Sequence, residues 1–402
     1  MLLSRTFKAF QYREFRLMWM GACTSSIGTW MQKLAQSWLV LQISGSSLML
    51  GLDSFLGEIP IFLFSLVGGV VADRADRRHM LIASQFIQMS CAFLLAILVA
   101  TDAVEVWHIL CLSFLVGLAQ AFGGPAYQAL IPTLVGPSDL PNAIALNSIQ
   151  FNLARIIGPM LGGLALTQLG ASWCFSLNGV SYIAVIASLV AVRPRFQPAK
   201  TEESMLASMR SGISFIRKQG SMESLIALAF LTTSLGIPLI VFLPVFVRDV
   251  FQRGPSTYTL LLSVSGAGSV AGALAVAAFS HSAHKGRVGL IMIVFLGVCT
   301  SVFAVSNSIV LSCVSLFLAS AALVAVFALV TSLVQLITTD EMRGRVMSVY
   351  NVAFRGGMPF GNLASGSLIE RFNAPAIIAL NGLLLTCLGG YHLVLRRKIS
   401  SL

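Results

Sequence analysis

Charge is what this chain has little of. Only 10% of its 402 residues are Asp, Glu, Lys or Arg, against about 25% in soluble domains. Acidic residues are the scarcer sign, 15 against 26 Lys and Arg, which leaves a formal net charge of +11. Whole chemistries are missing as well. No Gly-x-x-x-x-Gly-Lys-Ser/Thr loop is present to cradle a nucleotide phosphate, which argues against ATP hydrolysis in this chain. Neither His-Glu-x-x-His nor Gly-x-Ser-x-Gly occurs, which argues against zinc-protease and α/β-hydrolase chemistry. The seven cysteines (Cys23, Cys91, Cys111, Cys174, Cys299, Cys313 and Cys387) all fall in apolar runs and form no Cys-x-x-Cys pair. They read as small core residues, not as disulfide or metal ligands. His281 and His284 have ligand-like spacing but no Cys or carboxylate company in their loop, so no metal and no bound cofactor is expected.

Apolar length is what the chain has in abundance: 56% of residues are hydrophobic. A hydrocarbon core about 30 Å thick needs roughly 20 apolar residues per helix. Twelve such runs occur, near residues 17–43, 48–72, 80–100, 106–130, 142–168, 172–192, 225–248, 257–280, 287–306, 309–334, 346–369 and 374–395. Membrane strands would be about ten residues long with alternating polarity, and nothing reads that way. The expectation is an all-α polytopic membrane protein with twelve transmembrane helices.

Basic residues set its orientation. With the N-terminus inside, 20 of the 26 fall in inner segments: Arg5 to Arg16, Arg74 to Arg78, Arg193 to Lys218, Lys285 and Arg287, Arg343 and Arg345, and Arg396 to Lys398. The outer loops hold three, Arg248, Arg253 and Arg371. The other three, Lys33, Arg155 and Arg355, lie inside helices. Both termini are therefore expected in the cytoplasm. The positive charge answers to anionic lipid headgroups, so nucleic acid need not be a partner. Residues 1–16 show no small-residue cleavage site, and the first apolar run is too long for a signal peptide, so the first helix is expected to be retained.

The longest polar stretch, 193–223, divides the chain into an N-terminal bundle (1–192) and a C-terminal bundle (224–402). Pro194 and Pro198 stiffen its start. Met205, Leu206, Met209, Ile213 and Ile216 recur at helical spacing, opposite Arg210, Arg217 and Lys218. That pattern suits an amphipathic helix on the inner surface, or a solvated linker helix. The two bundles look related. At an offset of 200, Ser148, Arg155 and Pro159 align with Ser348, Arg355 and Pro359, and at a similar offset Gly69 falls opposite Gly272. Two pseudo-symmetric six-helix repeats around a central path are a known transporter design.

Ionisable groups at membrane depth are costly and usually functional. At 1.5 Å per residue, Lys33, Glu58 and Arg155 lie about 24, 21 and 20 Å from the inner face, and Arg355 about 14 Å. Glu58 is expected to pair with Lys33 or Arg155, either as a pair that protonation releases or as a permanent structural one. Desolvation and the cations act on its pKa in opposite directions. Asp53, nearer the outer face, reads as interfacial. Gln32, Gln36, Gln120, Asn147, Asn152 and Asn351 are polar candidates for a cavity wall, each with helix–helix hydrogen bonding as the plainer alternative. Trp30, Trp38 and Trp107 are interface anchors or cavity walls. Ala154, Gly158 and Gly162 share one helix face beside Pro159 and Gly163, and Gly268 and Gly272 have the same spacing. Small residues so placed let helices approach closely, and these two faces are expected to meet.

The spacing Gly69-x-x-x-Asp73-Arg74-x-x-Arg77-Arg78 resembles the loop 2–3 signature of the major facilitator superfamily, with Asp76 where a Gly is usual. Further stretches resemble one branch, the enterobactin-exporter-like transmembrane secretion effectors: Phe15-Arg-Leu-Met-Trp, Gly28-Thr-Trp-Met-Gln-Lys-Leu-Ala-Gln-Ser-Trp, Pro125-Ala-Tyr-Gln-Ala-Leu-Ile-Pro, Leu140-Pro-Asn-Ala and Ala154-Arg-Ile-Ile-Gly-Pro. The resemblance implies a monomeric secondary exporter in a bacterial inner membrane. It implies a siderophore or drug-like cargo, alternating access and a proton gradient as the energy source. It also implies that Asp73 meets the start of helix eleven near Gly344, forming a gate with Gly69, Arg74, Arg77, Arg78, Arg343 and Arg345. The alternative is a polar turn that only sets orientation. The stretch Gly158-Pro159-x-x-Gly162-Gly163 resembles the antiporter motif, with tight packing alone as the plainer reading. One departure stands out: where drug–proton antiporters carry Arg in helix four, this chain has Gly117. Lipid or lysolipid flipping by the same fold and a non-transporting sensor or assembly role are the alternatives. An intramembrane enzyme lacks the clustered catalytic groups it needs.

Overall fold

A computed structural model describes residues 7–192, 205–278, 284–394 and Ile399, without the side chains of Asp73 and of 205–209. Arg5, Arg193, Arg195, Lys200, His281 and Arg396 to Lys398, used above, lie outside the described residues. The described chain is helical throughout and divides into two compact units. One holds residues 1–44 and 56–201, the other 45–55 and 202–402.

In the first unit a short 3-10 turn, Lys8–Gln11, precedes α1 (Arg13–Ser44). Then follow α2 (Ser47–Arg74), α3 (Arg77–Ala100), α4 (Val106–Leu130), α5 (Leu140–Gln168) and α6 (Ala171–Ala191). Helix α1 packs on α6 and α5, and α3 on α6 and α4. Gly170, at φ +93°, makes the tight turn from α5 into α6, a conformation that favours glycine. At one end of this unit Asp139 is nearly fully buried. It takes an ion pair from Lys8 at 2.7 Å and hydrogen bonds from Gln11 and Tyr12 at 2.9 and 3.0 Å. The hydrogen bond that Lys8 donates to Asp139 and that carboxylate's negative charge raise the Lys8 pKa above its ordinary value.

The second unit begins with the amphipathic α7 (Met205–Lys218). Next come α8 (Gly220–Gly236), continued through broken turns to a π-turn at Phe246–Val250, then α9 (Pro255–Ala278), α10 (Lys285–Val305), α11 (Ile309–Ile337), α12 (Arg343–Arg371) and α13 (Ala374–Val394). Helix α10 packs on α13 and α11, α9 on α11, and α12 on α8. Helix α7 packs on α12: a Cβ at Gly212 would lie 2.8 Å from the Arg345 carbonyl oxygen. The stretch 205–218 clusters with the second unit.

The unit boundary also falls inside α2. Its first turn is capped within the second unit, where Glu370 Oε2 accepts from the Ser46 hydroxyl (3.1 Å) and the backbone N–H groups of Ser47 and Leu48 (2.8 and 3.3 Å). A carboxylate at a helix N-terminus satisfies otherwise unpaired N–H groups and meets the positive end of the dipole.

Ten of the described spans are long and apolar enough to cross a membrane. The two remaining expected spans, α1 and α12, have membrane length but carry more polar sequence.

Candidate functional site

The two cations expected inside helices of the first unit, Lys33 and Arg155, converge on one ring. Lys33 Nζ lies 5.3 Å from the centroid of Trp30 and the Arg155 guanidinium 5.4 Å, with Phe151 edge-on to it at 6.5 Å. A Trp face attracts cations through its quadrupole, by about 0.5–2 kcal/mol each. Sequence reasoning named Trp30 only as an anchor or wall. Its spacing was the available signal, because Trp30 and Lys33 share a face of α1. Glu58 is half-buried on α2 in the same unit.

The polar candidates of α1 are tied to neighbouring helices. Asn178 donates to Gln32 Oε1 at 2.6 Å, which joins α6 to α1. Gln36 donates to the Ser113 hydroxyl at 2.9 Å, which joins α1 to α4. Asn152 donates to the Ser148 carbonyl one turn back on its own helix. Asn147 accepts from the Tyr127 hydroxyl at 2.6 Å. Gln120 is exposed. Arg355 is exposed in the second unit, and Asp53 is buried there.

Each small-residue face is close-packed inside its own unit. Gly158 and Gly162 on α5 pack against α1. A Cβ at Gly158 would overlap Trp30 Cβ, and one at Gly162 would sit 2.9 Å from Met31 Cα. Ala154, Pro159 and Gly163 are buried on the same helix. Gly268 and Gly272 on α9 pack against α11, at the carbonyls of Phe317 and Ala321. Shared spacing says that a face is close-packed, not which helix it packs on. The glycine in place of the helix-four Arg has the same cause: a Cβ at Gly117 would overlap the Gly57 carbonyl, so α2 and α4 cross where a long side chain has no room.

In the loop between α2 and α3, Asp76 caps α3, accepting from the N–H groups of Arg78 (2.9 Å) and His79 (3.4 Å) and pairing with the His79 ring at 2.8 Å. Burial alone would raise the Asp76 pKa, but these bonds outweigh it and hold it below the ordinary carboxylate value. Arg77 donates to the carbonyls of Ala72 and Ala129, each at 3.1 Å. Arg78 donates to those of Leu189 and Val190 at 2.6 and 2.7 Å. Both arginines therefore cap the C-terminal ends of α2, α4 and α6, whose last carbonyls lack helical partners. Arg74 is exposed, and a Cβ at Gly69 would touch nothing within 4 Å. The Asp73 side chain, on which the expected gate turns, lies outside the described residues. Arg343 pairs with Asp340 at 2.6 Å, and Arg345 Nη1 lies 3.8 Å from Met342 Sδ.

In the second unit a cavity of about 450 Å³ opens between α11 and α12, lined in part by Phe327, Thr331, Gln335, Tyr350, Asn351 and Phe354. Only Asn351 among these is visible from sequence reasoning. The missed signal is a polar stripe, Thr331, Ser332 and Gln335, near the end of a largely apolar helix.

Residues 4–401 match the family model described as transmembrane secretion effector. The multidrug efflux pump Tap of Mycolicibacterium fortuitum is 24% identical, over 87% of this chain and 88% of its own. The enterobactin exporter EntS of Escherichia coli O1:K1 / APEC is 23% identical, over 93% and 90%. Among solved structures, a mutant form of the nucleoside transporter NupG superposes with a TM-score of 0.80 at 14% identity, covering 94% of this chain and 98% of that one. These neighbours are membrane transporters rather than enzymes, and at that identity the structural likeness speaks for the fold.

Proposed function

Because the chain belongs to the transmembrane secretion effector family of the major facilitator superfamily, a family of multi-pass membrane transporters, we propose that it exports a small organic molecule from a bacterial cytoplasm by alternating access. The proposal includes the inner membrane, cytoplasmic termini, a monomer bathed in lipid, and a proton gradient as the energy source. Siderophore-like and drug-like cargo are the substrate classes, as the names of its relatives suggest.

The observation that supports a transport path most directly is the pairing of Lys33 and Arg155 on Trp30. Two cations held at membrane depth are expensive to keep unless they serve the passage of something charged or polar. Glu58, on a neighbouring span of the same unit, is the proposed protonatable partner in this function.

The test works with an unidentified cargo. Cells expressing the wild type, Glu58→Gln or no transporter are compared by mass spectrometry of medium and cytoplasm, with and without a proton uncoupler. A compound leaving faster only with the wild type and an intact gradient names the cargo and supports Glu58 in coupling. Equal export by Glu58→Gln removes Glu58 from the mechanism. A medium unchanged between wild type and empty cells, across hosts that make siderophores and hosts given macrolides, overturns the exporter reading.

A further inference from the structure

We infer that the cavity between α11 and α12 is a binding site for the uncharged aromatic part of a ligand that also carries hydrogen-bonding substituents. As a cargo subsite it rests on the exporter reading; as a binding site it does not.

The walls give the chemistry. Phe327 and Phe354 stand edge-to-face with centroids 4.7 Å apart at 82°, and Tyr350 lies nearly parallel to Phe354 at 6.1 Å and 25°. Edge and face are thus both presented, the two geometries in which an added ring packs favourably. The polar groups are few and neutral. The Thr331 hydroxyl donates to the Phe327 carbonyl at 2.7 Å and is bonded to the Tyr350 hydroxyl at 2.8 Å, which fixes the tyrosine ring. Gln335 and Asn351 are exposed and bring one amide each, able to donate and to accept. No Asp, Glu, Lys, Arg or His is among the lining residues. A ligand charge placed there would meet apolar ring faces and find no counter-charge among the lining residues. The volume, about 450 Å³, lies in the range of small-molecule sites, which combine apolar walls with a few polar groups.

The position is consistent with use. The lining residues of α11 recur as Val324, Phe327, Ala328, Thr331, Ser332 and Gln335, a single face three turns long. Tyr350, Asn351 and Phe354 answer from within the first three turns of α12. The cavity lining therefore reaches about 20 Å along α11 from the α11–α12 turn.

The probe is 4-hydroxybenzophenone, a neutral diaryl ketone that inserts into nearby C–H bonds under ultraviolet light. Full-length protein in nanodiscs is irradiated with it and the labelled peptides are mapped by mass spectrometry. Labels are expected on 324–335 and 350–354, reduced about tenfold by Phe354→Ala. Benzophenone-4-carboxylate, the same ring system with a negative charge, should label those peptides about tenfold less. Val310→Ala, on an exposed position of α11 outside the cavity, should change nothing. If Phe354→Ala does not purify as a monodisperse protein, Gln335→Leu takes its place, with a loss of a few-fold expected. Equal labelling by the anion, or labels spread over exposed helix surfaces and insensitive to these substitutions, overturns the site. Labelling as expected in a chain that exports nothing leaves the site standing and removes only its role for cargo.

Discussion

The α5–α1 seam of the first unit and the α12–α8 seam of the second are built on one plan and finished differently. In the first, Gly158 and Gly162 admit Trp30 and Met31. In the second, Gly357 and Gly361 admit Thr233 and Ser234, with the backbone oxygens of Phe230 and Ser234 inside the space a Cβ would fill. Each seam has an Arg and a Pro at matching places, Arg155 with Pro159 and Arg355 with Pro359, and both prolines sit inside continuous helices. A second pair of seams repeats the likeness: Gly68 of α2 meets Ala121 of α4, as Gly268 and Gly272 of α9 meet Phe317 and Ala321 of α11. The backbone plan is therefore duplicated, while the side chains have diverged. Where the first seam holds an indole, two cations gather. Where the second holds small hydroxyl residues, Arg355 stays exposed and the uncharged aromatic cavity lies farther along the same helix. Close packing is what duplication preserved, and charge is what it left free to vary.

The largest effect should come from filling the tighter seam. Gly361→Val puts carbon into the Ser234 backbone, which cannot step aside, and should cost about 3 kcal/mol or more. The readout is the loss of monodisperse protein in detergent. Gly158→Ala meets a side chain as well as backbone, so it should lose less; an equal loss at both positions would remove the distinction between the seams. Gly117→Arg should also fail to fold, because the arginine would displace the α2–α4 crossing at Gly57; a folded variant with restored coupling would contradict the crossing. Trp30→Ala should leave folding nearly intact yet slow export about tenfold, since the cation–π contacts of Lys33 and Arg155, about 0.5–2 kcal/mol each, disappear together. Arg355→Ala should slow it far less.

Smaller effects belong to the loop. Asp76→Ala removes a helix cap and should lower Tm by the equivalent of about 1 kcal/mol. Because folded Asp76 titrates below its unfolded value, near 3.9, its contribution is present above that pH and lost as pH falls through the folded pKa. The difference in Tm between wild type and Asp76→Ala should therefore shrink below about pH 4. Gly69→Ala, with open space around it, should be neutral or stabilise by up to about 1 kcal/mol.

The helices, their number and the repeat were legible because bilayer length and offset are one-dimensional signals. Arg155, Pro159, Arg355 and Pro359 announce the duplicated seams from sequence alone. Partner choice was not legible. Gly158 and Gly268 carry the same spacing, and only the fold decides that one faces α1 and the other α11. The Trp30 cluster needs two helices in contact before it exists, and the α11–α12 cavity needs Phe327 and Phe354, 27 positions apart, to cross at an angle. Gly117, read first as a missing arginine, turned out to mark a crossing.

Arg78 and the carbonyls it caps are separated by 111 and 112 residues of chain. At a ribosome's pace of about 5–20 residues per second, the guanidinium is made some 6–20 s before its partners exist. During that interval it is a bare cation at the end of a new hairpin, able to hold that hairpin to one side of the bilayer by charge alone. When α6 arrives, the same side chain becomes a helix cap. Under the orientation proposed above one residue would act twice, and a neutral replacement such as Arg78→Gln would be felt first during insertion and only afterwards in the finished fold.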